Sequence, residues 1–365
     1  KVISASSLKF GGVAEALTKM SLGNRIGAKF SNLTVEELFG LNYGTLLLEV
    51  EGNVDVPTEF AGTSFKFVGE TISEERIVSG DYDIDFTIEA LEKSIEEKLN
   101  GVFKISTEKK EEKVESKLYT ERNTSKPRER IEHPKVVIPV FPGTNCEDDC
   151  TRAFRKEGAE VVQVLIRNLN KEALIESVDR LEKEIRTAQI IMLPGGFSAG
   201  DEPDGSAKFI ATVFRNEKIK DAVMDLLNNR DGLMLGICNG FQALIKLGLV
   251  PYGEIRDIEE DMATLTYNNI NRHMSSIIRT RISSVKSPWF SEVNAGDIHN
   301  VAISHGEGRF VAPESLLKEL EENGQIATQY VDFNGEVSLD MPYNPNGSML
   351  GVEGITSRDG RILGK

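Results

Sequence analysis

The chain has 365 residues, 39% hydrophobic and 28% charged, enough to bury a sizeable core and long enough for two domains of a soluble, globular protein. Its 58 acidic and 43 basic residues leave a formal charge of −15, a field that repels extended duplex DNA and directs attention to small-molecule or protein partners. No apolar run reaches the ~20 residues of a membrane span and no signal-peptide pattern opens the chain, while its three cysteines cannot all pair, so a cytoplasmic location with no membrane or nucleic-acid partner is expected.

The opening KVISASS carries no initiator methionine and reads as cut from something longer. GGVAEALTKMSLG (11–23) has helical apolar spacing and a glycine stop, and GTLLLEV (44–50) is strand-like. SFKFVGETI (64–72) alternates as a strand does, and DFTIEALEKSIEEKL (85–99) predicts one amphipathic helix. Residues 1–104 therefore read as an α+β domain. Gly11 and Gly12 either offer backbone to a phosphate at a helix start or simply cap that helix. Residues 105–134 carry many charges of both signs and few large apolar side chains, so they bury too little to offset their ordering entropy. They read as a charged linker, with a solvated helix from Lys109 to Tyr119 as the alternative.

From residue 135 the order changes to strand, helix, strand, helix. KVVIPVF (135–141), EVVQVLI (160–166), QIIMLPG (189–195) and GLMLGI (232–237) are continuous apolar runs, the pattern of strands buried on both faces. Helical stretches Glu147–Glu157, Glu172–Thr187, Ser206–Asn228 and Asn239–Leu247 separate or follow them. The predicted architecture is α/β, a mostly parallel sheet flanked by helices, with ligands gathered at the carboxyl ends of the strands. Beyond Val250 come shorter strand-like pieces, ATLTYNN, SIIRTRISS, HNVAISHGEGRF, QIATQYV and SMLGVEGITS, then an Asp359–Gly360 turn and RILGK.

GICNGFQALIKLG (236–248) puts Cys238 on the turn from the last apolar run into a helix, between glycines that let the backbone close. A helix start favours a thiolate, and the same turn aims the Asn239 N–H at an oxyanion formed when Cys238 attacks a carbonyl. In LPGGFSAGDE (193–202), Gly195 and Gly196 permit a second N–H to point across the strand ends. The competing reading is an inert buried thiol. Of the four histidines, His133 falls in the linker and His273 in a polar hairpin region, whereas His305, in ISHGEGRF after an apolar strand, is by spacing the candidate base; His299 completes the set. Cys146 and Cys150 are one helical turn apart, as metal ligands or as helix packing; no second ligand pair accompanies them, and no metal site is expected.

GICNGFQ, LPGGFSAGDE, SHGEGRF and FPGTNCEDD (141–149) together resemble the class I glutamine amidotransferase domain of the phosphoribosylformylglycinamidine synthases in their large single-chain form. SLKFGGVAEALTKMSLGNRIGAKFS (7–31) is similar to the last part of their synthetase half, in the aminoimidazole ribonucleotide synthetase superfamily. The resemblance implies a flavodoxin-like amidotransferase domain over 135–365. Within it Cys238 takes the acyl group of glutamine, Gly196 and Asn239 form the oxyanion hole, and Gly195, Gln242, Ser304, His305 and Gly306 hold the glutamine. It implies no cofactor in that domain; ATP and magnesium belong to the synthetase half, the partner in which ammonia converts formylglycinamide ribonucleotide to formylglycinamidine ribonucleotide for purine synthesis.

One departure matters: the family's His-Ser-Glu-type motif follows the last strands, whereas this sequence stops at RILGK. On that reading the chain is a fragment cut just before its triad is complete, and impaired alone. A different elbow-cysteine hydrolase of the same fold, or a non-catalytic scaffold, stay as the alternatives.

Overall fold

A computed structural model describes residues 1–104, 107, 114–123, 127–200 and 207–365, and the chain divides into two units, Lys1–Ile105 and Ser106–Lys365. The first unit runs β1 (Val2–Ser7), α1 (Gly12–Asn24), β2 (Gly27–Phe30), α2 (Val35–Phe39), β3 (Leu46–Val50), α3 (Val56–Glu59), β4 (Gly69–Ile72), β5 (Arg76–Ser79), β6 (Asp85–Thr87) and α4 (Ile88–Asn100). β1 pairs with β3, and a second sheet has the order β4-β2-β5-β6. Leu8, Val13, Ala16, Phe30, Leu33, Leu38 and Ile77 form its core.

Two expectations change in this unit. Of 64–72 only Gly69–Ile72 is a strand, because Phe65 and Phe67 stand exposed instead of alternating into a core. The helix of 85–99 starts late: Asp85–Thr87 pair with β5, and the Thr87 hydroxyl accepts from Ala90 N at 3.1 Å, capping α4. At Gly11 the backbone N–H donates to the Glu15 carboxylate at 2.9 Å, placing negative charge where a phosphate would sit. Gly12 has φ +63°, and a Cβ there would stand 2.6 Å from the Leu38 carbonyl oxygen, so the pair serves the approach of α1 to α2.

The second unit runs β7 (Lys135–Val140), α5 (Glu147–Lys156), β8 (Glu160–Leu165), α6 (Lys171–Ile185), β9 (Ile190–Leu193), α7 (Lys208–Phe214), α8 (Glu217–Asn229), β10 (Leu233–Gly236), α9 (Asn239–Leu247) and α10 (Leu249–Tyr252). It continues with β11 (Thr264–Thr266), β12 (Met274–Ile282), β13 (Ile298–His305), β14 (Arg309–Val311), α11 (Glu314–Glu322), β15 (Ile326–Tyr330), β16 (Val352–Thr356) and β17 (Ile362–Gly364). Nine strands form one sheet in the order β13-β12-β15-β16-β17-β10-β9-β7-β8.

The sheet is mixed, which corrects the expectation of a mostly parallel one. From β8 to β17 every pairing is parallel, and from β17 to β13 every pairing is antiparallel. Helices intervene among the first four strands, β7 to β10, which supplies the crossovers that parallel pairing needs; the later strands return directly. β13 alternates between exposed and half-buried positions, as an antiparallel strand with one wet face does.

The helix expected over Ser206–Asn228 is two helices, since the Asn216 side chain accepts from Lys218 N at 3.1 Å and starts a new one at Glu217. Ser206 itself, with Asp201 and Glu202 of the 193–202 motif, lies outside the described residues. Residues 114–123 run along this unit: Tyr119 N donates to Ser283 O at 2.9 Å, and Val285 N donates to Tyr119 O at 3.1 Å. The Arg122 guanidinium donates to the Phe290 carbonyl at 2.8 Å. Backbone pairing orders this stretch without a core of its own. Of the alternative helix Lys109–Tyr119, the part from 114 is not helical; residues 109–113 lie outside the described residues.

Candidate active site

The elbow between β10 and α9 is made by close approaches that only glycine permits. A Cβ on Gly240 would stand 2.0 Å from the Leu193 carbonyl oxygen, and one on Gly236 would stand 2.6 Å from Leu244 Cδ1 and 2.7 Å from the Gly240 carbonyl. The first turn of α9 can therefore settle against β9. Between them Cys238 adopts φ 53°, ψ −108°, a conformation costing a non-glycine residue on the order of 1–3 kcal/mol. The surrounding backbone holds it there: Cys238 N donates to Lys365 O at 2.9 Å, and Lys365 N donates to Gly236 O at 3.0 Å. Cys238 is exposed and sits at the N-cap of α9, where the helix dipole favours a thiolate.

Gly195 and Gly196 bring the neighbouring loop to this thiol. A Cβ on Gly195 would stand 3.4 Å from Cys238 Cβ, and Gly196, at φ +136°, lies so close to the 143–145 backbone that its Cβ would be 2.7 Å from Gly143 O. Neither Asn239 N nor Gly196 N is taken by a backbone acceptor among the described residues. Ser198 N donates to Asn239 Oδ1 at 3.3 Å, which ties the loop to the elbow. Asn239 Nδ2 in turn donates to Gln242 Oε1 at 2.9 Å, and Gln242 Nε2 donates to Glu307 O at 2.8 Å. The Gln242 amide is thus largely buried and joins the elbow to the 304–308 turn.

That turn rests on residues the sequence reading missed. Asn268 Nδ2 donates to His305 O at 2.9 Å, Asn268 N donates to Gly306 O at 2.9 Å, and Gly308 N donates to Asn268 Oδ1 at 3.2 Å. Asn346 Nδ2 donates to Gly308 O at 2.7 Å and to the Tyr330 hydroxyl at 3.0 Å. Gly347 N and Ser348 N donate to Asn344 Oδ1, so YNPNGS (343–348) folds into a buried brace. Its concentration of Asn, Pro, Gly and Ser announces a turn but not what the turn supports. The Tyr330 phenol, fully buried, has its pKa raised by desolvation, then by the charges of Glu353 and Cys238, and stays neutral.

His305 ends β13 with Nδ1 buried and without a hydrogen-bond partner among the described residues. Burial holds its pKa below the usual histidine range, with the His273 charge adding to that depression, so the neutral imidazole is favoured. Ser304 faces outward, its Oγ 2.9 Å from His273 Nε2. His133 lies before β7, at the amino end of the strands, with Nδ1 2.9 Å from Gly158 O. His299 is exposed on β13. Cys150 is largely enclosed on α5 and its thiol is pushed up to about 11 by that burial. Among the described residues no group of three or more His, Cys, Asp or Glu is placed to hold a metal ion.

Against this geometry, the model of the CobB/CobQ-like glutamine amidotransferase domain matches residues 133–365. The chain belongs to this glutamine amidotransferase family. The amidotransferase region is 35% identical over 232 residues to the phosphoribosylformylglycinamidine synthase subunit PurQ of Methanococcus maripaludis, covering 63% of this chain and 79% of that subunit. The subunit of the same name from Aquifex aeolicus is 31% identical over 230 residues, covering 63% and 87%. Among solved structures, PurLQS from Thermotoga maritima aligns at a TM-score of 0.44 and 24% identity, over 63% of this chain and 85% of that one. This amidotransferase is therefore a homologue of PurQ, with a large mixed sheet flanked by helices.

Proposed function

We propose that Cys238 is the nucleophile of a glutaminase that feeds ammonia to a phosphoribosylformylglycinamidine synthase. The Cys238 sulfur attacks Cδ of the glutamine side chain, and the Asn239 and Gly196 N–H groups stabilise the oxyanion. The C–N bond then breaks, ammonia leaves, and water later releases glutamate from the thioester. Gly195, Gln242, Ser304, His305 and Gly306 hold the glutamine, with Gln242 acting by fixing the 304–308 turn. In the family resembled here an imidazole that follows the last strand carries the proton, and β17 leads the backbone directly to Cys238. The observation that carries the reading is the exposed thiol at a positive-φ helix start, with the Gly195 backbone packed against it.

Residues 1–104 are read as the end of the synthetase half, which makes the rest of that half the partner. ATP and magnesium bound in that half would supply activation of the ribonucleotide amide; the start of α1, where the Gly11 N–H donates to the Glu15 carboxylate, does not fit a phosphate. The PurQ relatives support the glutaminase reading of the amidotransferase region. A chloroketone analogue of glutamine should alkylate Cys238, and Cys238→Ala should abolish labelling. In the complete synthase the same variant should lose glutamine-dependent turnover and keep ammonia-dependent turnover. Labelling by a peptide aldehyde, but not by the glutamine analogue, would instead mark a hydrolase of another specificity.

A further inference from the structure

The sheet order places β9 between β10 and β7, so the loops after these three strands lie side by side at their carboxyl ends. Cys238 caps α9 in the first of these loops, Cys146 caps α5 in the last, and Gly195 lies between them without a side chain. The position a Gly195 Cβ would take is 3.4 Å from Cys146 Sγ and also 3.4 Å from Cys238 Cβ. No more than twice that length separates the two atoms. A disulfide asks for a Cβ···Cβ separation of about 3.8 Å, so closing it takes rotation of the two side chains and an inward movement of the 144–146 loop. That loop is tied to the 195–199 loop by Asn145 N to Gly195 O at 3.4 Å and Phe197 N to Gly143 O at 2.8 Å, and Cys146 O accepts from Cys150 N at 3.1 Å, so the side chains must do most of the moving. Cys146 Sγ meanwhile contacts Asn145 Oδ1 at 3.0 Å.

We propose that Cys146 is a resolving thiol for Cys238, so that peroxide locks the pair as a disulfide and turns the site off reversibly. This rests on Cys238 being the nucleophile. The Cys238 thiolate attacks a peroxide oxygen, the O–O bond breaks, hydroxide leaves, and sulfur is oxidised by two electrons to a sulfenic acid. Cys146 then attacks that sulfur, an S–S bond forms, the S–O bond breaks, and the hydroxide leaves as water with the proton from the Cys146 thiol. Two thiols and one peroxide become a disulfide and two waters. Burial, then the nearby Asp149 and Glu147 charges, raise the Cys146 pKa, so it stays a thiol and does not compete with Cys238 for substrate. Without a resolving partner the sulfenic acid proceeds to sulfinic acid, which ordinary thiols do not reverse.

The test is to treat the full chain with hydrogen peroxide, block the remaining thiols, and map peptides without reduction. The expected product is one linked peptide pair containing Cys146 and Cys238. Chloroketone labelling should be lost in step with it and restored by dithiothreitol. Cys146→Ser should label like wild type before oxidation and lose labelling irreversibly after it. A Cys146–Cys150 linkage, or a Cys238 sulfinate beside a free Cys146, overturns the resolving role while leaving the nucleophile intact. Failure of the untreated protein to label overturns the nucleophile assignment itself.

Discussion

Replacing Gly240 with alanine tests the packing on which the elbow depends. The new Cβ would stand 2.0 Å from the Leu193 carbonyl oxygen and 2.8 Å from Leu193 Cβ, where ordinary contact begins at 3.4 Å. The obstructing oxygen is strand backbone, so no rotamer change relieves the overlap. The first turn of α9 must instead draw back from β9 by roughly 1 Å or more, carrying the Asn239 N–H and the Cys238 sulfur with it; a displacement of that size costs about a hundredfold in rate. Overpacking of this kind also costs about 1–3 kcal/mol of stability, or about 2–4 °C of melting temperature per kcal/mol for a domain of about 250 residues. The assay is the rate of chloroketone labelling at Cys238 set against thermal unfolding. Gly23→Ala is the control: nothing lies within 4 Å of its Cβ, and it sits inside α1. If Gly240→Ala labels at the wild-type rate and melts unchanged, the argument from close approach is wrong.

Gly23→Ala itself should raise stability by about 0.5–1 kcal/mol, read by denaturant titration, because alanine costs less backbone entropy in a helix. Gln242→Ala leaves the Asn239 amide N–H and the Glu307 carbonyl without their buried partner; a loss of about 1–3 kcal/mol in stability and a raised KM for glutamine are expected. Tyr330→Phe removes one hydrogen bond from Asn346 and should cost about 1 kcal/mol, measured by urea unfolding. His305, with its pKa depressed by burial, binds its proton more weakly folded than unfolded. Its contribution to stability is thus present above the unfolded value of about 6.5 and lost as pH falls through the folded pKa. His305→Gln should flatten the acid limb of the stability–pH curve, and an unchanged slope would refute the assignment.

Several parts of the molecule are written locally. The apolar runs at 135–141, 160–166, 189–195 and 232–237 are strands because residues buried on both faces leave an unbroken pattern, and the helices between them follow a 3.6-residue period. The corner at Cys238 is legible for the same reason, since Gly236 and Gly240 fall two residues to either side of it. Local pattern also misleads: Phe65 and Phe67 alternate yet face outward, and Asn216 interrupts what reads as one helix.

What the amino-acid order determines alone is the strand–glycine–cysteine–glycine–helix turn and the family it marks. Only the tertiary structure inserts β17 between β16 and β10, which sets the Lys365 carbonyl against Cys238 N and makes half the sheet antiparallel. It alone brings Asn268 and Asn346 to the 304–308 turn and sets both Cys146 and Cys238 against Gly195. These contacts join residues tens to more than a hundred positions apart. Periodicity and turn chemistry act over a few residues, so they carry no record of which distant donor will meet which acceptor once the strands find their order.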